Sequence, residues 1–193
     1  RTAFYFYQKI LQTDDFKMLY ICSIFFIVFN MYHQNLLMIL IVCINLEEDF
    51  LMYILETEQS FDSAHFLSGY KGKCSNLHGH RWRVVARIAM DELNKEGQTR
   101  DMVIDFGDFK DALKKLTDAL DHSFIFETGS LKETTPTALK EEGFLLHEVP
   151  FRPTAEQFSR YFYEQLQKLG FPVYNISVYE TPTNCSTYQE ASL

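Results

Sequence analysis

Residues 79–90 alternate between apolar and charged side chains over much of their length. Every second residue is apolar and shares one face of an extended strand: Trp82, Val84, Ala86 and Ile88. Three arginines occupy the other face, so the pattern predicts a strand with one buried and one solvated side. Residues 53–66 are the predicted antiparallel partner. The linker between them, residues 67–77, is long for a hairpin, and such loops usually serve binding or catalysis.

Two segments show the period of amphipathic helices. In residues 106–120 the apolar stripe consists of Phe109, Ala112, Leu113, Leu116 and Leu120. A second helix is predicted to begin after Thr154, a good N-cap residue, and to end at Gly170. Its stripe consists of Phe158, Tyr161, Phe162, Leu166 and Leu169.

Two further strands are predicted at residues 173–180 and 186–189, and residues 123–150 are predicted to be an extended connection. The element order is therefore ββααββ. We predict an α+β fold in which a four-stranded antiparallel sheet is covered on one face by two helices.

Residues 1–51 differ in composition from the rest, because all eight glycines and all five prolines come later. Their two apolar runs, residues 19–29 and 36–44, are each shorter than the roughly 20 residues that span a bilayer as a helix. Glu47 and Glu48 have purine-rich codons, as a ribosome-binding site has, and they lie just upstream of Met52. We interpret residues 1–51 as a non-native extension translated from an upstream region, in preference to a membrane anchor, and residues 52–193 as the catalytic domain.

Charge and cysteine content limit the compartment and the partners. The net charge of −8 does not favour nucleic acid as a partner. Only Cys74 and Cys185 lie in the predicted domain, too few for a disulfide framework, although one bridge between them stays open. This usage is typical of a cytoplasmic enzyme.

Three histidines form a candidate metal site. His78 and His80 are two residues apart, so both imidazoles project from the same face of a strand, with Gly79 between them. His65, near the end of the preceding strand, offers a third nitrogen. Three histidines with one open position are typical of catalytic zinc. Cys74 is either a fourth ligand, which would close the site, or a reactive thiol beside the metal, and we favour the thiol.

Two other groups of polar residues each allow two interpretations. Asp121 and His122 follow the first helix, where they could be a solvated helix end or a carboxylate–imidazole pair; the pair requires an irregular backbone, because adjacent side chains do not normally face each other. Glu180 ends an apolar strand. It is either an exposed terminal residue or a carboxylate that accepts two parallel N–H bonds from a guanidine-like edge of a ligand.

These residues, in this order, resemble the 6-pyruvoyltetrahydropterin synthase and 6-carboxytetrahydropterin synthase family over residues 52–193. The matching pieces are Phe61-Asp-Ser-Ala-His65, Cys74-Ser-Asn-Leu-His78-Gly-His80, Met102-Val-Ile-Asp105-Phe106, Leu120-Asp121-His122, Pro153-Thr154-Ala-Glu156 and Tyr179-Glu180-Thr181. The resemblance implies a tunnelling fold. It also implies a homo-oligomer built from trimers, which usually stack into hexamers, with active sites between subunits.

The resemblance further implies a role for each site residue. It makes His65, His78 and His80 the Zn²⁺ ligands, Cys74 the general base, Asp121 with His122 a proton relay, and Glu180 the anchor of the pterin ring.

The spacing from Cys74 to His78 is similar to that of the bacterial carboxytetrahydropterin branch. The expected reaction converts 7,8-dihydroneopterin triphosphate to 6-carboxy-5,6,7,8-tetrahydropterin, with release of acetaldehyde and triphosphate, in queuosine biosynthesis. The alternatives are a 6-pyruvoyltetrahydropterin synthase, which eliminates triphosphate, and a non-catalytic zinc-stabilised pterin-binding module.

Overall fold

The computed structural model describes residues 21–24 and 52–190. The chain divides into two compact units, Arg1–Phe50 and Leu51–Leu193. Of the first unit only residues 21–24 are described, and they are helical. The interpretation of residues 1–51 therefore falls almost wholly outside the described residues. No helix in the described ranges has both the length and the apolar character needed to cross a bilayer.

The second unit contains one six-stranded sheet and three α-helices. The strands are β1 (Tyr53–His65), β2 (His78–Met90), β3 (Ser123–Glu127), β4 (Leu146–Val149), β5 (Val173–Thr181) and β6 (Asn184–Tyr188). The helices are α1 (Phe106–Asp118), α2 (Thr134–Glu141) and α3 (Ala155–Lys168). In space the strands follow the order β4-β3-β1-β2-β5-β6.

Four strands and two helices agree with the sequence patterns. Strands β1, β2, β5 and β6 pair antiparallel in the sheet, and α1 and α3 match the two amphipathic segments. Asp105 caps α1 by accepting a hydrogen bond from the N–H of Gly107, and Thr154 caps α3 by accepting one from the N–H of Gln157. The predicted N-cap of the second helix is thus confirmed.

The prediction that residues 123–150 are an extended connection was wrong. This segment contains β3, α2 and β4, and both strands join the sheet in parallel fashion. The ladder between β1 and β3 is short, with Ser63 opposite Ser123 and Ala64 opposite Phe124. Runs of four or five residues are too short for periodicity to distinguish a strand from a loop. These two strands are therefore revealed only by pairing, β3 with β1 and β4 with β3.

The core lies on one face of the sheet, beneath α1 and α3. The alternating side chains of β2 are fully buried there, together with Phe61 of β1 and Val178 of β5. The apolar stripes of both helices join the same cluster, mainly through Phe109, Leu113, Phe158, Phe162 and Leu166. The strand and helix periodicities therefore meet in a single core.

The opposite face of the sheet carries cross-strand ion pairs between β1 and β2. Glu56 lies 2.7 Å from Nε of Arg87, and Glu58 lies 2.9 Å from a guanidinium nitrogen of Arg83. The guanidinium of Arg83 also stacks over the ring of Tyr179 at 3.9 Å. Glu56, Glu58 and Arg83 are exposed on this face, as the arginines of β2 predicted, but Val85 and its partner Ser177 are buried.

Candidate metal centre and active site

His65, His78 and His80 converge at the end of β1 and the start of β2. In the antiparallel register His65 lies opposite His78, and Ser63 lies opposite His80, so the three imidazoles share the helix-covered face. One ring nitrogen from each lies within 4.8 Å of the others. The structure therefore brings together the three histidines that the sequence indicated, and they form a group that can hold a metal ion.

Backbone carbonyls orient two of these histidines. Nδ1 of His65 donates to the carbonyl of Pro153 at 2.7 Å, and Nδ1 of His78 donates to the carbonyl of Asn76 at 2.7 Å. A carbonyl only accepts, so each Nδ1 carries the hydrogen and each Nε2 presents a lone pair. Nε2 of His65 is buried and has no hydrogen-bond partner. Metal-binding histidines have this second hydrogen bond, and an unpartnered buried nitrogen is costly without a ligand.

Burial also favours the neutral form of two of the imidazoles, those of His65 and His80. Desolvation is the main cause that lowers the pKa of His65 to about 4, although the bond to the Pro153 carbonyl opposes it. Desolvation likewise lowers the pKa of His80, against the opposing charge of Glu180. Neutral imidazoles are the form that binds a divalent cation, so the lowered pKa values of His65 and His80 favour metal binding.

Gly79 and Trp82 form the immediate surroundings of the triad. A Cβ atom on Gly79 would lie 3.1 Å from the carbonyl oxygen of Ser63, because the two strands approach closely between the histidines. The ring of Trp82 packs edge-on against His65 and His80, with centroid distances of 5.0 and 5.5 Å. This tryptophan, the only one in the chain, joins the metal site to the core.

Cys74 lies in a 3₁₀ turn, Lys73–Ser75, two residues before the carbonyl that orients His78. Its own carbonyl accepts a hydrogen bond from the N–H of Leu67 at 2.8 Å, which ties the turn to the end of β1. Within the described residues, the metal-binding group consists of the three histidines without Cys74. Cys74 and Cys185 are both free, so the bridge that the sequence left open is not formed.

Glu180 reaches the triad from β5. Its Oε1 lies 3.6 Å from Nε2 of His65 and 3.7 Å from Nε2 of His80. The residue pattern suggested only a strand-end carboxylate, whereas the resemblance assigned Glu180 to the same active site as the histidines. Only the pairing of β2 with β5 places it there.

Asp121 and His122 form a carboxylate–imidazole pair, with 2.8 Å between Oδ2 and Nδ1. The irregular backbone that such a pair requires is present, since His122 has a φ of 53°. Oδ1 of Asp121 accepts from the N–H of Asp62 at 2.7 Å, and the N–H of His122 donates to the Asp62 carbonyl at 2.7 Å. The bond from Asp62 is the main cause that lowers the pKa of Asp121.

This pair is not part of the metal-binding group of the same chain. His122 borders a cavity of 710 Å³ that is also lined by Asp62 and Arg81 and, from the triad, by His80. The structure thus gathers His65, His78, His80 and Glu180 into one cluster, and Asp121 and His122 form a second pair that shares this cavity with His80.

The sequence patterns missed the two carbonyls that orient the histidines. Pro153 could have been noticed, because it precedes the predicted N-cap Thr154 and so lies where α3 meets the sheet. Asn76 carries no comparable signal. Its role depends on the backbone of the turn.

Comparison with known proteins identifies the family. A profile described as 6-pyruvoyl tetrahydropterin synthase matches residues 54–191. The chain belongs to the 6-pyruvoyl tetrahydropterin synthase family. It is 39% identical over 142 residues to a 6-carboxy-5,6,7,8-tetrahydropterin synthase from Haemophilus influenzae, covering 72% of this chain and 100% of that protein. A protein of the same name from Aquifex aeolicus is 35% identical over 128 residues, covering 61% and 76%.

Solved structures share the fold of this chain. An uncharacterized protein from Wolinella succinogenes superposes with a TM-score of 0.59 at 22% identity, covering 73% of this chain and 99% of its own. A 6-pyruvoyltetrahydropterin synthase from Plasmodium vivax gives 0.55 at 23% identity, covering 72% and 98%. The predicted tunnelling fold is confirmed, with two more strands than the sequence indicated. The predicted enzyme class, a pterin synthase, is likewise confirmed by the family.

Proposed function

We propose that this chain is a zinc-dependent lyase that converts 7,8-dihydroneopterin triphosphate to 6-carboxy-5,6,7,8-tetrahydropterin, releasing acetaldehyde and triphosphate. The observation that carries the proposal is the histidine triad, whose ring nitrogens lie within 4.8 Å of one another and in which backbone carbonyls orient His65 and His78. Similarity to curated 6-carboxytetrahydropterin synthases over most of the chain supports the choice of reaction.

His65, His78 and His80 would hold the metal. Three imidazoles with an open position favour zinc, and bound zinc would act as a Lewis acid toward the side-chain hydroxyls of the substrate. The buried Nε2 of His65 and the carbonyls of Pro153 and Asn76 support this assignment, because together they fix the lone pairs before any metal arrives.

Three other groups complete the proposed chemistry. Glu180 accepts hydrogen bonds from the N–H edge of the pterin ring, as a carboxylate can from a guanidine-like edge. Cys74 serves as general base, supported by its position in the turn that orients His78. His122, held by Asp121, relays the proton.

We further propose that active sites form between subunits of a trimer-based homo-oligomer, a trimer or a hexamer. The absence of Asp121 and His122 from the metal-binding group of their own chain supports this, because a second copy could bring the pair of one chain to the triad of another. We assign the reaction to the cytoplasm and to queuosine biosynthesis. The free thiols of Cys74 and Cys185 support a reducing compartment.

Product identification tests the reaction. The purified zinc-loaded chain is incubated with 7,8-dihydroneopterin triphosphate, and the products are identified by mass spectrometry. We expect 6-carboxytetrahydropterin and acetaldehyde. Formation of a 6-pyruvoyl product without acetaldehyde would reassign the chain to the other branch, and zinc-dependent pterin binding without turnover would make it a binding module.

The domain assignment has its own test. We propose that residues 52–193 form the catalytic domain, supported by the compact unit Leu51–Leu193 and by the family match over residues 54–191. A protein that begins at Met52 should be folded, bind zinc and turn over substrate at the rate of the full chain. An insoluble or zinc-free product would contradict the assignment.

A further inference from the structure

Glu180 occupies an irregular position in β5. Tyr179 pairs with Cys185 and Thr181 pairs with Asn184, so β5 has one more residue than β6 between these pairs, and that residue is Glu180. A bulge of this kind re-aims a side chain and is common beside active sites. Here the carboxylate points at the histidines, with 28% of the side chain exposed.

Without a cation, the Glu180 carboxylate makes no favourable contact with the nearby nitrogens of His65 and His80. Its Oε1 lies 3.6 Å from Nε2 of His65 and 3.7 Å from Nε2 of His80, beyond ordinary hydrogen-bond length. Nε2 of His65 is an acceptor, because Nδ1 already donates to the Pro153 carbonyl. Two acceptors facing each other in a partly buried space gain nothing from the contact. A metal ion between them would be attracted to both.

The spacing suits ligands of one ion. Ligand atoms about 2.0–2.1 Å from a tetrahedral metal lie about 3.3 Å from one another. The distances from Glu180 to His65 and His80 are close to that value. Glu180 is not within the 4.8 Å group that includes His78, so its carboxylate would have to move closer to His78 to become a full ligand.

We propose that Glu180 is an exchangeable fourth ligand of the metal, which occupies the open position when no substrate is bound and leaves it to accept the ring N–H groups of the pterin. The pterin half of this proposal rests on the proposed function, whereas the ligand half rests on the triad alone. Binding of the pterin ring to Glu180 would then free the fourth coordination position of the metal. Molecules that lack the N–H edge would leave the position closed.

Cobalt substitution tests the ligand half. The full chain is loaded with Co²⁺, whose visible absorption depends on its ligands, and compared with Glu180→Gln and with the control Glu164→Gln. Glu164 is an exposed residue of α3 paired with Arg160, so its replacement removes a carboxylate away from the triad. We expect Glu180→Gln to change the cobalt spectrum and to weaken cobalt binding about 10- to 100-fold, measured by chelator competition. Glu164→Gln should match the parent chain.

Addition of neopterin tests the exchange. The cobalt spectrum of the parent chain should shift toward that of Glu180→Gln, and the spectrum of Glu180→Gln should change much less. Identical spectra and affinities within twofold for the parent chain and Glu180→Gln would overturn the ligand assignment. A pterin-induced shift of equal size in both proteins would overturn the exchange.

Two further measurements keep the outcomes distinct. Glu180→Asp retains the charge but shortens the side chain, so it should also lose the fourth ligand. Circular dichroism and Trp82 fluorescence report whether either variant is folded.

If the cobalt spectra differ between the parent chain and Glu180→Gln but the expected product never forms, the proposed reaction fails and the ligand assignment stands. If the product forms while the spectra coincide, the reaction stands and the ligand assignment fails.

Discussion

The histidine triad and the Asp121–His122 pair contain the same side chain in opposite settings. His65 is 1% exposed, with one nitrogen bonded to a carbonyl and the other without a partner in the protein. The His122 side chain is 80% exposed and is hydrogen-bonded to a single carboxylate, that of Asp121. The hydrogen bond to the Pro153 carbonyl fixes the tautomer and the direction of the lone pair in the first case. In the second, the imidazole remains accessible to solvent.

The difference suggests that the two regions serve different steps, metal binding and proton transfer. A metal site benefits from ligands that are rigid before the ion binds, and the triad is built on paired strands and packed on Trp82. The proton relay that we propose must reach substrate, and His122 of the Asp121–His122 pair borders an open cavity. Substitutions in the two regions should therefore affect different properties, metal binding in one and turnover in the other.

The largest effect is expected from His78→Ala. Removal of one of three ligands should weaken zinc binding by more than about 100-fold, measured by chelator competition, because even the loss of a supporting hydrogen bond costs 10- to 100-fold. His122→Ala is the matched control and should bind zinc like the parent chain. Full zinc occupancy in His78→Ala would remove the triad as the metal site.

Cys74→Ala should separate metal binding from turnover. We expect turnover of 7,8-dihydroneopterin triphosphate to fall by about 100-fold or more, with zinc content and thermal stability retained, because a general base contributes about 10²–10⁴-fold. Cys185→Ala serves as the control, since Cys185 lies on β6 and is exposed. Unchanged turnover in Cys74→Ala would refute its proposed role, and loss of zinc would make it a ligand.

Gly79→Ala should damage the triad without removing a ligand. The new methyl group would press on the Ser63 carbonyl at 3.1 Å, and a paired strand backbone cannot move aside easily. We expect the free energy of unfolding to fall by about 1–3 kcal/mol, with zinc affinity weakened by a smaller factor than in His78→Ala. Differential scanning calorimetry and chelator competition measure the two. An unchanged midpoint with unchanged affinity would show that the strands tolerate the methyl group.

Asp121→Asn should change the free energy of unfolding only slightly, and the size of that change should depend on pH. The bond from the Asp62 N–H lowers the pKa of the Asp121 carboxyl, so its ionised form stabilises the folded state. That contribution is present above the unfolded pKa of about 3.9 and is lost as the pH falls through the lower folded value. Because the side chain is 36% exposed, we expect a difference below about 1 kcal/mol at neutral pH.

The pH series provides its own control. The difference in unfolding free energy between the parent chain and Asp121→Asn should shrink as the pH is lowered through the acid range, measured by urea denaturation at each pH. A difference that stays constant down to acid pH would mean that the charge of Asp121 does not stabilise the fold.

The sequence by itself determined the main frame of the protein and its chemical residues. Long, regular patterns predict β1, β2, α1 and α3, because each repeats its period over enough residues to indicate one buried face. The spacing of His78 and His80 predicts a shared strand face for the same reason. Asp121, His122 and Glu180 were also recognisable, but only as residue types in a matching order.

Tertiary structure alone decided how these residues meet. The short strands β3 and β4 exist because they pair with neighbours, and their local patterns are too brief to predict them. The carbonyls of Pro153 and Asn76 are backbone groups, so no side-chain pattern marks them. Strand register brings Glu180 to the triad, and hydrogen bonds with the Asp62 backbone hold Asp121 and His122 beside β1. Contacts between residues far apart in sequence depend on register and on strand pairing, which local periodicity does not specify.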